Sequence, residues 1–99
     1  MQEEDRKALR SNREALLKDL EAKRVASLLY SREIFTEEDK DSVNAKSTPA
    51  EQREEVLDIL PRKGPKAFNA FCNVLNEVSP HLEALLRPTQ EDGKADMLF

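Results

Sequence analysis

The residue types that carry nucleophilic or acid–base chemistry are scarce in this chain, since its 99 residues include one cysteine and one histidine. Cys72 stands with Phe68, Phe71 and Leu75 at helical spacing, where a free cysteine behaves as a small buried hydrophobe. His81 has no serine, aspartate or second histidine patterned around it that would make a catalytic dyad. We therefore expect no catalytic residue and no enzymatic activity.

Metal and phosphate sites have equally little support. The acids at 37, 38, 39 and 41 lack the spacing and the turn glycine of a calcium loop. A single cysteine cannot make a cysteine-based zinc site, and two glycines leave no glycine-rich phosphate loop. The basic residues Arg62, Lys63 and Lys66 precede a helix start and form either a phosphate site or a solvated loop, of which we favour the loop. The sequence predicts no metal and no cofactor.

Charge and composition exclude further classes of protein. The chain has 16 lysines and arginines against 20 aspartates and glutamates, a net charge of −4, which argues against nucleic-acid binding. No apolar run approaches the roughly 18 residues of a transmembrane helix, so we expect no membrane partner. The single cysteine and the charged N-terminal segment favour a reduced, cytoplasmic protein.

Apolar residues recur at helical spacing almost throughout the chain and predict an all-α protein. Threonines at 36 and 48 and prolines at 49, 65 and 80 mark helix starts. The predicted helices span about 3–22, 24–32, 37–45, 49–62, 66–78 and 80–87. Short connections favour a compact antiparallel bundle over 1–87, and the polar, aperiodic residues 88–99 are expected to be a linker or disordered tail.

Arg13 conflicts with a straight first helix. It lies four residues after Leu9 and three before Leu16, so a continuous helix would bury its guanidinium unless the side chain reaches the rim. Ser11 and Asn12 have side chains that compete for backbone hydrogen bonds, and a break there would release Arg13. We expect a kinked or split first helix.

The segment from Leu57 to Cys72, LDILPRKGPKAFNAFC, resembles the helix 4–helix 5 junction of caspase recruitment domains (CARDs) in initiator caspases and in the RAIDD-type adaptor. The opening from Glu4 to Arg13 is similar to the start of caspase-nine-type prodomains, and IFTEED at 34–39 resembles the connection between helices 2 and 3. The resemblance covers about residues 3 to 87. It implies a death-fold bundle of six antiparallel helices.

The resemblance also implies a function, namely binding to another CARD of a caspase, an adaptor or a nucleotide-binding platform in apoptotic signalling. In such pairs a basic surface on helices 1 and 4 of one domain meets an acidic surface on helices 2 and 3 of the other. The matching acidic residues are Glu33, Glu37, Glu38 and Asp41. The matching basic residues are Arg10, Arg13 and Arg53, and a secondary basic cluster comprises Arg62, Lys63 and Lys66.

The fourth predicted helix departs from the caspase-nine pattern, because its polar stripe is acidic. Residues 33–58 hold nine acidic and three basic residues, which makes the domain electrically lopsided. Such a field orients encounters with a basic partner, although charge runs on helices can also be simply solvated. We expect a monomer alone and a head-to-tail oligomer in a complex, because unlike faces do not match across a two-fold axis. The alternative function is a CARD-only decoy that regulates assembly.

Overall fold

The regular secondary structure in the described part of the chain, residues 1–87 of a computed structural model, is all helical, which confirms the predicted fold class. The α-helices are α1 (Glu3–Ser11), α2 (Arg13–Asp19), α3 (Ala22–Ser31), α4 (Glu37–Asn44), α5 (Pro49–Ile59), α6 (Ala67–Val78) and α7 (Pro80–Leu86). A single 3₁₀ turn, Leu60–Arg62, follows α5. The tail expected at 88–99 lies outside the described residues.

The first predicted helix is split at Asn12, as the position of Arg13 required. The Asn12 side chain donates to the carbonyl of Ala8 at 2.9 Å, while its own carbonyl accepts from the N–H of Leu16 at 3.0 Å and opens α2. Leu9 and Leu16 are both buried, and the break leaves 41% of the Arg13 side chain exposed. α1 and α2 together therefore correspond to one helix of the expected six-helix bundle.

Several helix boundaries differ from the predicted ones for local reasons. α2 ends at Asp19 because Leu20 is extended, and α3 then begins two residues earlier than expected. α5 tightens into the 3₁₀ turn because Pro61 has no N–H to continue the α-helical ladder. Gly64 has a φ of +94°, which a glycine adopts at little cost, and the chain turns there before α6.

The core is one buried cluster built from every helix. Phe71 of α6 is fully buried, which confirms that the apolar stripe of α6 faces inward. α3 packs against α4, α5 and α6, and α6 also packs against α7. Val43 is the one buried residue of α4, so this short polar helix has little apolar contact to hold it.

A two-way capping box fixes the start of α4. The N–H of Asp39 donates to Thr36 Oγ1 at 3.1 Å, and the N–H of Thr36 donates to Asp39 Oδ2 at 2.9 Å. The box satisfies two backbone donors that a helix end otherwise leaves without partners. At α5 the cap is simpler, because Thr48 Oγ1 accepts from the N–H of Glu51 and Pro49 occupies the first turn.

The same carboxylate ties α4 to the connection between α5 and α6. Lys63 Nζ lies 2.7 Å from Asp39 Oδ2, and both side chains are largely buried, with 22% and 19% exposed. Burial opposes ionisation of Asp39, but the hydrogen bonds from Lys63 and Thr36 outweigh it and hold the pKa of Asp39 below its usual value of 3.8. Asp39 therefore stabilises the fold in its charged form.

We expect Phe71→Ala to lower the free energy of unfolding by about 3–5 kcal/mol, because it removes a fully buried ring and leaves a cavity. A domain of this size has about 5–15 kcal/mol in total, so the variant should be close to unfolding. Phe71→Leu keeps most of the apolar volume and should lose less. Urea denaturation measures both, and a Phe71→Ala protein with wild-type stability would contradict the observed core.

We expect Asp39→Asn to destabilise the domain by about 1 kcal/mol at pH 7, since it removes the charge that Lys63 and Thr36 stabilise. A lowered folded-state pKa adds stability above the unfolded-state pKa of about 3.9, and this stability disappears as the pH falls through the folded-state value. The gap between wild type and variant should therefore close below pH 4. Thermal melts at pH 7 and pH 3 test this, with the exposed Glu54→Gln as control. An equal gap at both pH values would contradict it.

Candidate functional site

Four carboxylates form an exposed acidic face at the corner between α3 and α4. The acidic face consists of Glu33, Glu37, Glu38 and Asp41. Two of them lie in the first turn of α4, where negative charge is favoured by the helix dipole. None of the ion pairs formed among residues 1–87 includes any of the four. The face thus presents four charges without an ionic partner in that part of the chain.

The corner that carries Glu33 is fixed by backbone hydrogen bonds. The N–H groups of Ile34 and Phe35 both donate to the carbonyl of Leu29, and the N–H of Glu33 donates to the carbonyl of Tyr30. Glu33 itself has a φ of +63°, a left-handed conformation that residues other than glycine rarely adopt. Phe35 is buried and anchors the far side of the turn, so the Glu33 side chain remains at the surface.

Arg10 and Arg13 lie together beside a groove between the first two helices and α5. Arg10 Nη2 is 3.0 Å from Glu3 Oε2, and Arg13 Nη2 is 3.7 Å from Asp58 Oδ1. Exposed pairs of this kind are worth about 0–1 kcal/mol, so both guanidinium groups are available for exchange with other carboxylates. The groove has a volume of about 130 Å³ and also involves Arg6. Arg6 lies four residues before Arg10, about one helical turn away, and this spacing could have predicted that Arg6 belongs to the same surface.

Arg53, the third residue predicted for the basic face, lies apart from Arg10 and Arg13 in its contacts, because its guanidinium binds backbone carbonyls at the end of α2. Its Nε donates to the carbonyl of Leu20 at 2.8 Å, and its Nη1 donates to the carbonyl of Leu17 at 3.1 Å. Carbonyls at the end of a helix lack partners within the helix, and a guanidinium there is also favoured by the helix dipole. Arg53 therefore joins α5 to the end of α2, and this placement gives no support to a surface role.

The secondary basic cluster is divided by the structure. Lys63 is paired with Asp39, and Arg62 Nε donates to the carbonyl of Asp58 at 3.3 Å. Lys66 is exposed at the start of α6. Lys63 and Arg62 thus contact different elements, α4 and the end of α5.

Tyr30 and Lys40 form a contact that the sequence did not reveal. Tyr30, near the end of α3, is 38% exposed. Lys40 Nζ of α4 lies 4.5 Å from the ring centroid, a cation–π contact. Only the packing of α3 against α4 brings these two residues together, so no local spacing signals the pair.

Cys72 and His81 lie in different environments. Cys72 is fully buried, and burial raises the pKa of its thiol to about 12, so the reactive thiolate is suppressed. His81 is exposed on α7, with Nε2 3.5 Å from Asp19 Oδ2.

Across residues 1–87, no group of three or more His, Cys, Asp or Glu side chains is placed to hold a metal ion. Among the described helices, none has the length and apolar character needed to cross a membrane.

Comparison with known proteins agrees with the helical architecture. The family model for the caspase recruitment domain matches residues 6–89. Caspase-2 of Gallus gallus is 35% identical over 91 residues, which cover 91% of this chain and 22% of that protein. Cell death protein 3 of Caenorhabditis remanei is 27% identical over 89 residues, 89% of this chain and 18% of that protein. The chain thus spans about a fifth of the length of these relatives. It belongs to the caspase recruitment domain family, whose members are non-catalytic modules for homotypic binding in apoptotic caspase signalling.

Proposed function

We propose that this domain binds a second CARD by placing its acidic face against a basic surface of the partner. The observation that supports this is the set of four exposed carboxylates, none of which is in an ion pair among residues 1–87. Like charges held close together repel each other, and a basic partner relieves that repulsion on docking. The acidic face is therefore the stronger of the two candidate surfaces.

The basic face, which we now define as Arg10 and Arg13, is the weaker surface. Both residues already have partners within the domain, and Arg53 contributes to the fold instead. One acidic and one basic face on the same domain join head to tail. We therefore propose that the domain is a monomer at low concentration and forms open helical or ring assemblies with other CARDs. A second copy of this domain also carries a suitable basic face.

The parent protein that this function suits best is an initiator caspase. Its support is the match to two much longer relatives, one of them named a caspase, over about a fifth of their lengths. In such a protein the domain has the recruiting role in the cytoplasm, and proteolysis belongs to residues outside it. Its net charge of −4 favours a protein partner over nucleic acid or an anionic membrane surface.

Two single-face copies of the domain test the proposal with reagents of known composition. The basic-face copy carries Glu37→Gln, Glu38→Gln and Asp41→Asn, and the acidic-face copy carries Arg10→Gln and Arg13→Gln, so that no substitution creates a new complementary face. We expect neither copy to associate with itself and the mixture to form a 1:1 complex in analytical ultracentrifugation. The affinity should fall steeply with salt, because the Debye length shrinks from about 10 Å at 0.1 M to about 3 Å at 1 M.

Two variants of the acidic-face copy serve as controls. Neutralising Glu37, Glu38 and Asp41 to Gln, Gln and Asn in this copy should remove binding. Glu51→Gln with Glu54→Gln makes similar changes at exposed sites of α5, outside the acidic face, and should leave much of the affinity. Association that is unaffected by salt and by neutralisation, or no association of the mixture, would contradict the proposal.

Arg13→Glu on its own should weaken binding of the wild-type domain to the acidic-face copy by about 1–3 kcal/mol. Its melting temperature should change little, since the Arg13–Asp58 pair is largely exposed. Lys18→Glu makes the same charge change at an exposed site of α2 and is the matched control. Unfolding of the Arg13→Glu variant would show that Arg13 is a structural residue and not a contact.

A further inference from the structure

We infer that the ring of Tyr30 is the point on the acidic face where an arginine of the partner stacks, and that Lys40 covers this point in the free domain. This inference rests on the proposed function, because it names how the partner's basic surface is held. It adds an aromatic contact to a surface otherwise described by charge alone.

Tyr30 contacts the two chain segments that carry the acidic face. The N–H of Glu33 donates to the carbonyl of Tyr30 at 3.0 Å, so the backbones of these two residues are joined within one turn of the chain. On the other side, Lys40 precedes Asp41 and lies three residues after Glu37 on α4. Tyr30 is 38% exposed, so part of this residue is accessible to solvent.

The position of Lys40 shows what the ring can bind. Lys40 is spaced for an ion pair with Glu37 on the surface of α4, yet no ion pair among residues 1–87 includes it. Its ammonium lies 4.5 Å from the centroid of the Tyr30 ring instead. The ring of Tyr30 therefore already binds a cation, the ammonium of Lys40. A cation–π contact at an exposed site is weak, so a cation that binds the ring more strongly can displace the ammonium of Lys40.

Arginine is the cation that fits this site best. Its guanidinium is planar and weakly hydrated, so it stacks on an aromatic face more readily than an ammonium does. Its N–H groups stay free at the edge to donate to neighbouring carboxylates, and the chain places Glu33 three residues after Tyr30 and Asp41 directly after Lys40. A second copy of this domain supplies such a cation in the exposed guanidinium of Arg10 or Arg13.

Substitutions at Tyr30 in the acidic-face copy, titrated with the basic-face copy, measure the contribution of the ring. Tyr30→Leu keeps apolar bulk but removes the π face, and we expect it to raise the dissociation constant by about 3- to 10-fold. Tyr30→Phe keeps the ring and should bind within about twofold of the parent. Leu85→Ala removes the other large exposed apolar side chain of residues 1–87 and should leave the affinity unchanged. Thermal melts confirm that each variant is folded.

A double-mutant cycle separates stacking from simple charge. Lys40→Gln removes a positive charge from the acidic face, so it should tighten binding in any background. Where Tyr30 is present, Lys40→Gln also uncovers the ring. The gain in affinity should then be at least about threefold larger than in the Tyr30→Leu background. Arg10→Lys with Arg13→Lys in the basic-face copy keeps the positive charge but removes the planar guanidinium groups. This change should weaken binding to the acidic-face copy with Tyr30 more than to the same copy with Tyr30→Leu.

The outcomes distinguish this inference from the proposed function. If the single-face copies do not associate, or associate without the carboxylates of the acidic face, the proposed function fails and the stacking site fails with it. If they associate through those carboxylates but Tyr30→Leu binds like the parent, or the cycle shows no coupling, the stacking site alone is overturned. A weakened Tyr30→Leu variant together with coupling to Lys40 supports it.

Discussion

The carboxylate of Asp39 joins the start of α4 to the connection between α5 and α6, and the position of the acidic face depends on this contact. α4 buries Val43 alone among its residues, so apolar packing can hold it only weakly. The capping box with Thr36 and the ion pair with Lys63 provide the remaining constraint. One acid of the run 37–41 thus fixes the helix, which leaves its acidic neighbours in that run free to face a partner.

Charged residues in this domain fall into two groups according to what lies opposite them. Arg53 and Asp39 meet backbone groups or an opposite charge inside the fold, where an unsatisfied group would be costly. The acidic face meets solvent, and Arg10 and Arg13 meet carboxylates in exposed, exchangeable pairs. The surfaces proposed for binding are therefore formed by charges that the fold does not use, and the number of charges in a segment is a poorer guide to them.

Local rules in the sequence were enough to predict much of the fold. The conflict between Arg13 and the apolar stripe indicated the break at Asn12, and the stripe around Phe71 indicated the core. The exposed acids were predicted through resemblance. The roles of Arg53, Lys63 and Lys40 were not predicted, because each depends on a residue of another helix or connection that only the packing brings close. Sequence spacing describes one element at a time, and these three contacts each join two.

The left-handed backbone of Glu33 connects the stability of the domain with its charge. For a residue with a Cβ this conformation costs about 1–2 kcal/mol, whereas glycine adopts it freely and asparagine with less strain. The chain nevertheless has a glutamate at this position, so it sacrifices backbone stability and retains a fourth carboxylate at the corner. A glycine at position 33 would give a more stable domain, but the negative electrostatic field of the acidic face would be weaker. Under the proposed function, thermal stability and partner recognition compete at this corner, and a substitution that improves one is expected to reduce the other.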